Sequence, residues 1–183
     1  MFKTSRPFLL AIAAAATLAT AVPVAAGGPV LLTVTGEITN SNRGPSDPDS
    51  DKLFAFNDVS FDKAMVFDAD ALAAFQQIEV STDFPKGGPM VTFSGPALAD
   101  VLAAAGATGD TVTIRAMDGY AVEVPTEDML GSGAVLAMSR DGQAFGIGDF
   151  GPTQVVFPRA ERPDLKDMPD DWWVWQIYHI VVE

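Results

Sequence analysis

The chain contains no cysteine and a single histidine, His179. Without cysteine no disulfide can brace it, so a domain working outside the cytoplasm depends on its core and its hydrogen bonds alone. One histidine excludes a two-histidine metal site within one chain. A Ser-His-Asp triad would need His179, which stands mid-run among apolar residues and reads as a core side chain. Gly131-Ser132-Gly133 lacks the spacing of a nucleophile elbow, and no oxyanion motif accompanies it. Basic residues are scarce too, 11 against 24 acidic ones, for a formal net charge of −13. Such a field repels nucleic acid and anionic headgroups. Beyond residue 24 no apolar run is long enough to cross a bilayer, which takes about 20 residues.

What is present begins with a targeting pattern. Lys3 and Arg6 precede an alanine-rich apolar stretch over residues 8–24, and Val24-Ala25-Ala26 offers small residues for cleavage before Gly27. A second possible cut follows Ala21. The division expected is a signal peptide over residues 1–26 and one domain over 27–183, placed in the periplasm or secreted. Ser5-Arg6-Pro7-Phe8-Leu9-Leu10 looks like a twin-arginine signal with one arginine missing, so the general route, which threads unfolded chains, is expected. Beyond residue 26 lie all 24 acidic residues and nine basic ones, a formal charge of −15.

Along the domain, residues 30–36 read as a strand and 40–51 as a loop. Asp47, Asp49 and Asp51 alternate as in a calcium loop, but Lys52 stands where that loop needs glycine, so a solvated acidic loop is expected. Residues 54–66 read as short extended pieces. Asp68 can cap a brief helix, and 78–83 alternate at period two as a strand. Pro96 suits the first position of a helix with Leu98, Val101, Leu102 and Ala105 on its apolar face, ended by Gly106. Asp118-Gly119 sits between two β-prone runs as a hairpin turn. Thr126 to Leu130 can form a helical turn, and residues 134–140 and 153–157 read as strands. Residues 158–171 form a polar connection. The last strand is expected over 172–182, apolar on both faces and therefore central.

The order of these pieces resembles the oxidoreductase molybdopterin-binding domain, the sulfite-oxidase-like family. The marks are Phe93-Ser94-Gly95-Pro96-Ala97-Leu98-Ala99-Asp100-Val101-Leu102, similar to that family's aromatic-x-Gly helix start, then Asp118-Gly119-Tyr120, Asp141-Gly142, Gly151-Pro152 before Val155-Val156-Phe157, and Trp175-Gln176-Ile177. They cover roughly half of the domain. The resemblance implies an α+β fold of mixed, curved β-sheets with a few short helices.

It also implies a site. In the family's enzymes a cysteine thiolate holds molybdenum, and it precedes the aromatic-x-Gly helix start. Here that region is Val80-Ser81-Thr82-Asp83-Phe84-Pro85, with Ser81 or Asp83 nearest the cysteine position. Soft thiolate suits such a metal, and a neutral hydroxyl replaces it poorly. Arg115 and Arg140, at strand ends beside turns, are the cations that could meet a pterin phosphate. Ser81, Asp83, Arg115 and Arg140 are thus the candidate cofactor-binding residues, with no catalytic residue and no protein metal site named. The expected function is a molybdopterin-binding-like module without molybdenum catalysis, taking a small-molecule ligand or a periplasmic protein partner and no cofactor. The alternative is an active molybdopterin-dependent oxidoreductase with a non-cysteine metal environment, the pterin itself supplying two sulfurs. A third is a structural subunit whose tryptophan-rich end packs on a membrane redox partner.

Overall fold

A computed structural model describes residues 27–183, so the expected signal peptide lies outside the described residues. Strand β1, Val30–Gly36, is followed by the loop with the alternating aspartates, which runs into a short helix α1, Lys52–Phe56. The expected extended pieces over 54–66 are corrected in part here. Asp51 turns the chain into α1, accepting from the Asp47 N–H and from Arg43, and Phe54 is buried. The Asp47 carboxylate accepts from the Asp49 N–H and the Ser50 hydroxyl, so Asp47 and Asp51 are engaged within the loop. No group of three or more metal-ligating side chains occurs among the described residues.

Strand β2, Met65–Asp68, leads into helix α2, Ala69–Ala73. Asp68 caps it through the Ala71 N–H at 2.8 Å, the role its position suggests. Its second oxygen accepts from Gly27 and Gly28 at 2.7 and 2.8 Å, holding the first described residues against the start of α2. Strands β3, Gln77–Asp83, and β4, Met90–Pro96, form a long antiparallel hairpin. Pro96 therefore ends a strand and does not open the helix. Helix α3, Leu98–Ala105, starts after Ala97 and buries Leu98, Val101, Leu102 and Ala105 before Gly106 ends it in the left-handed conformation.

Strands β5, Thr111–Ala116, and β6, Ala121–Pro125, pair across the Asp118-Gly119 turn. Helix α4, Thr126–Gly131, is the expected helical turn. The run over 134–140 splits into β7, Val135–Ala137, and β8, Ser139–Arg140, with β9, Gln143–Ala144, folding back on β8. Then come β10, Gln154–Val156, and β11, Ile177–Val182.

The strands form a five-stranded sheet in the order β2-β1-β11-β5-β6, a four-stranded sheet β3-β4-β8-β9, and a β10-β7 pair. β11 lies parallel to β1 and antiparallel to β5, at the centre of the large sheet, as its two apolar faces require. Gly95 lets β4 approach β7: a Cβ there would stand 2.0 Å from the Leu136 carbonyl oxygen. This glycine of the aromatic-x-Gly motif is thus needed for packing. One core joins all three sheets, with Phe93, Phe157, Trp173, Ile177 and Ile180 among its buried members.

The expected final strand is shorter than its sequence suggests. Residues 170–172 form a turn of 3-10 helix, and Gln176 has φ of +53°. A residue in that region cannot continue a strand. Beyond it a register shift between Ile177 and His179 interrupts the alternation, so the rings of Tyr178 and His179 both meet Phe54, at 5.2 and 5.3 Å.

Candidate functional site

Where the large sheet meets the end of β3, three segments converge on a cavity of about 410 Å³. Phe84 and Pro85 follow β3, Asp118 and Tyr120 lie at the β5–β6 turn, and residues 170–175 close the third side. The Tyr120 hydroxyl donates to the Asp171 carbonyl at 3.0 Å, joining two of the walls.

The lining is aromatic and acidic. Phe84 stacks on Trp173, centroids 5.4 Å apart and planes within 11°, and the partly exposed rings of Tyr120 and Trp175 stand nearer solvent. Trp173 is itself buried, and its indole N–H has no acceptor among the described residues. Asp118, Asp170 and Asp171 supply carboxylates, and no basic side chain lines the cavity among the described residues. Asp118 accepts from the Tyr120 N–H at 2.9 Å, and Asp170 is held by Arg159 and the Lys86 N–H. The Asp171 carboxylate makes no hydrogen bond among the described residues.

Arg159 builds the wall from behind. Only 4 % exposed, it donates through Nε to Asp83 Oδ1 at 2.9 Å and through Nη1 to Asp170 Oδ1 at 2.7 Å. It also donates to the Met168 and Asp83 carbonyls, at 2.9 and 2.6 Å, with its guanidinium 4.4 Å from the centroid of the Trp173 ring. Burial raises the Asp83 carboxyl, but the Gly87 N–H and the Arg159 guanidinium outweigh it and hold it below the ordinary carboxylate value. The buried charge is thus paired and hydrogen-bonded, as burial demands.

The structure does not bring the four sequence-named residues together. Asp83 is engaged with Arg159 and the Gly87 N–H, immediately before the cavity wall. Ser81 is exposed and meets the Thr92 hydroxyl at 3.0 Å. Arg140 sits on β8 opposite Phe93, with its guanidinium 5.9 Å from that ring and 5.4 Å from Phe150. Arg115 pairs with His179 across β5 and β11. Sequence reasoning missed Arg159, which reads as one more cation in a polar connection, and it missed the cavity. The available signal was Asp170-Asp171 running straight into Trp172-Trp173, acid beside aromatic.

No protein-family model matches the chain, and no curated protein matches it. Solved structures do. The sulfane dehydrogenase SoxCD from Paracoccus pantotrophus superposes with a TM-score of 0.57 at 16 % identity over 83 % of this chain. The chain spans 37 % of that protein's length. The likeness shows the α+β, sulfite-oxidase-like fold that the motif order suggests. Whether this chain's residues suit a molybdenum pterin is a separate matter, and they do not. The chain has no thiolate. Asp83 is spent on internal partners, and the adjacent cavity is lined by carboxylates and by no basic side chain among the described residues.

Proposed function

We propose that this chain is an exported binding module on a sulfite-oxidase-like fold, acting in the periplasm or outside the cell without molybdenum catalysis. One observation carries the reading. The segment nearest the family's cysteine position, ending in Asp83, is locked to Arg159 and runs directly into a cavity walled by aromatic rings and aspartates. A site for a metal-bound anionic cofactor needs the reverse, a soft ligand and convergent cations. Cavities of this size, apolar with a few placed polar groups, commonly hold small molecules, at about 300–1,000 Å³. The sequence's signal pattern supports export, and the acidic surface argues against nucleic-acid partners. Among the described residues no helix is long and apolar enough to cross a membrane.

The test is metal and pterin analysis of protein purified from its native host, together with its N-terminal sequence. Absence of molybdenum and pterin, with Gly27 as first residue, is expected. Stoichiometric molybdenum would replace this reading with an active oxidoreductase whose metal has no cysteine ligand.

A further inference from the structure

The cavity's chemistry selects among small molecules. We infer that it binds an organic cation, an alkylammonium or quaternary ammonium head seated against Trp175 and Tyr120 and balanced by Asp118 and Asp171. The inference rests on the binding-module reading and names its ligand class.

Charge and shape both favour a cation here. The carboxylates come from two different segments, Asp118 from the β5–β6 turn and Asp170 and Asp171 from the 3-10 turn, and they converge on one space. Of these, Asp170 is ion-paired with Arg159, whereas Asp118 and Asp171 form no ion pair among the described residues. An anion entering here meets repulsion on two sides; a cation meets attraction.

The rings add selectivity. An aromatic face attracts a cation within about 6 Å of its centroid, and more strongly when water is excluded. Trp175 and Tyr120 are 40 % and 46 % exposed at the cavity, large apolar surfaces that the core has not absorbed. Trp175 is held edge-on to Phe150 at 6.2 Å, and Tyr120 is fixed by its hydroxyl. Two half-exposed rings held in place beside unpaired carboxylates form a preorganised cage and need little ordering on binding. Behind them the buried Trp173 and Phe84 rings back the same cavity. Choline carries the quaternary ammonium head that such walls suit.

The experiment titrates the domain with choline, following tryptophan fluorescence and calorimetry, beside its uncharged carbon isostere 3,3-dimethyl-1-butanol. Saturable binding of choline at millimolar concentration or below is expected, at least about tenfold tighter than the isostere. Trp175→Ala and Asp171→Asn, both exposed positions, are each expected to weaken it several-fold while circular dichroism shows the fold retained. Equal binding of choline and the isostere would overturn the inference, as would no saturation by choline or by tetramethylammonium in a folded sample. Those outcomes leave the binding-module reading standing, because that reading fails only on molybdenum or pterin in the native protein.

Discussion

Arg159 and His179 are both buried, and the molecule treats them in opposite ways. Arg159 keeps its charge and is given two carboxylates, two carbonyls and a tryptophan face. His179 is fully buried in the large sheet, where Nε2 meets the Thr35 hydroxyl at 2.8 Å and Nδ1 has no partner among the described residues. Around it the Tyr178 hydroxyl and Arg115 Nε are unpartnered as well. Burial first, and then the nearby Arg115 charge, push the His179 pKa from 6.5 to about 3, so the ring is neutral. The comparison separates two uses of a buried polar group. A saturated charge can fix distant segments in one arrangement, here the end of β3 and the turn at 170–172. An unsaturated one can only be kept neutral.

If Arg159 is the clamp, removing it has the largest effect. Arg159→Met deletes four hydrogen bonds and leaves Asp83 and Asp170 unpaired. Breaking a buried ionic cluster from one side costs about 3–5 kcal/mol, and the lower end is expected because both aspartates reach water. Urea unfolding measures it. A loss under about 1 kcal/mol would mean that the network contributes little and the walls are held by the Phe84–Trp173 stack alone.

The neutral histidine predicts a pH effect with a definite sign. The unfolded chain takes up a proton near pH 6.5 while the folded one does not until about pH 3, so stability falls as pH drops through that window. Between pH 7 and pH 5 the loss is about 2 kcal/mol, by the linkage relation. This interval lies above the carboxylates: Asp51, Asp68 and Asp83 are all held below 3.8 in the folded state, so the stability they add is lost only at lower pH. No other histidine exists to confuse the measurement. His179→Gln is expected to flatten the pH 7 to 5 dependence of urea stability. An unchanged slope would show that His179 ionises freely in the folded state.

The difference between the two regions also explains what was readable beforehand. The hairpins, the Asp68 cap, the Gly106 stop and the central place of β11 follow from local rules, and local residues signal them. Arg159 follows from no local rule. Its partners lie 76 residues upstream at Asp83 and 11 downstream at Asp170, and nothing in Phe157-Pro158-Arg159 distinguishes it from a solvated cation. The cavity was hidden for the same reason, since its walls come from three separated segments. The shortened last strand was hidden by its own composition, because the apolar run through Trp173 and Trp175 is indistinguishable from strand until Gln176 turns the backbone. For the candidate site, the sequence signalled the missing thiolate and the position of Asp83, but not what holds Asp83.

The smallest effect belongs to Tyr178, and it tests the unsaturated side of the comparison most directly. Its ring packs against Phe54 at 5.2 Å, while its buried hydroxyl finds no partner among the described residues. A buried hydroxyl without a hydrogen bond contributes nothing that phenylalanine would not, and losing its desolvation penalty favours the variant. Tyr178→Phe is therefore expected to change stability by under about 1 kcal/mol, neutral or stabilising. Burial also raises the tyrosine's own pKa, so the wild-type hydroxyl should resist titration at alkaline pH when followed by ultraviolet absorbance. A loss of about 1–2 kcal/mol in the variant would reveal a hydrogen bond at that hydroxyl. The polar group beside His179 would then be a connected network, and the contrast with Arg159 would be one of charge alone.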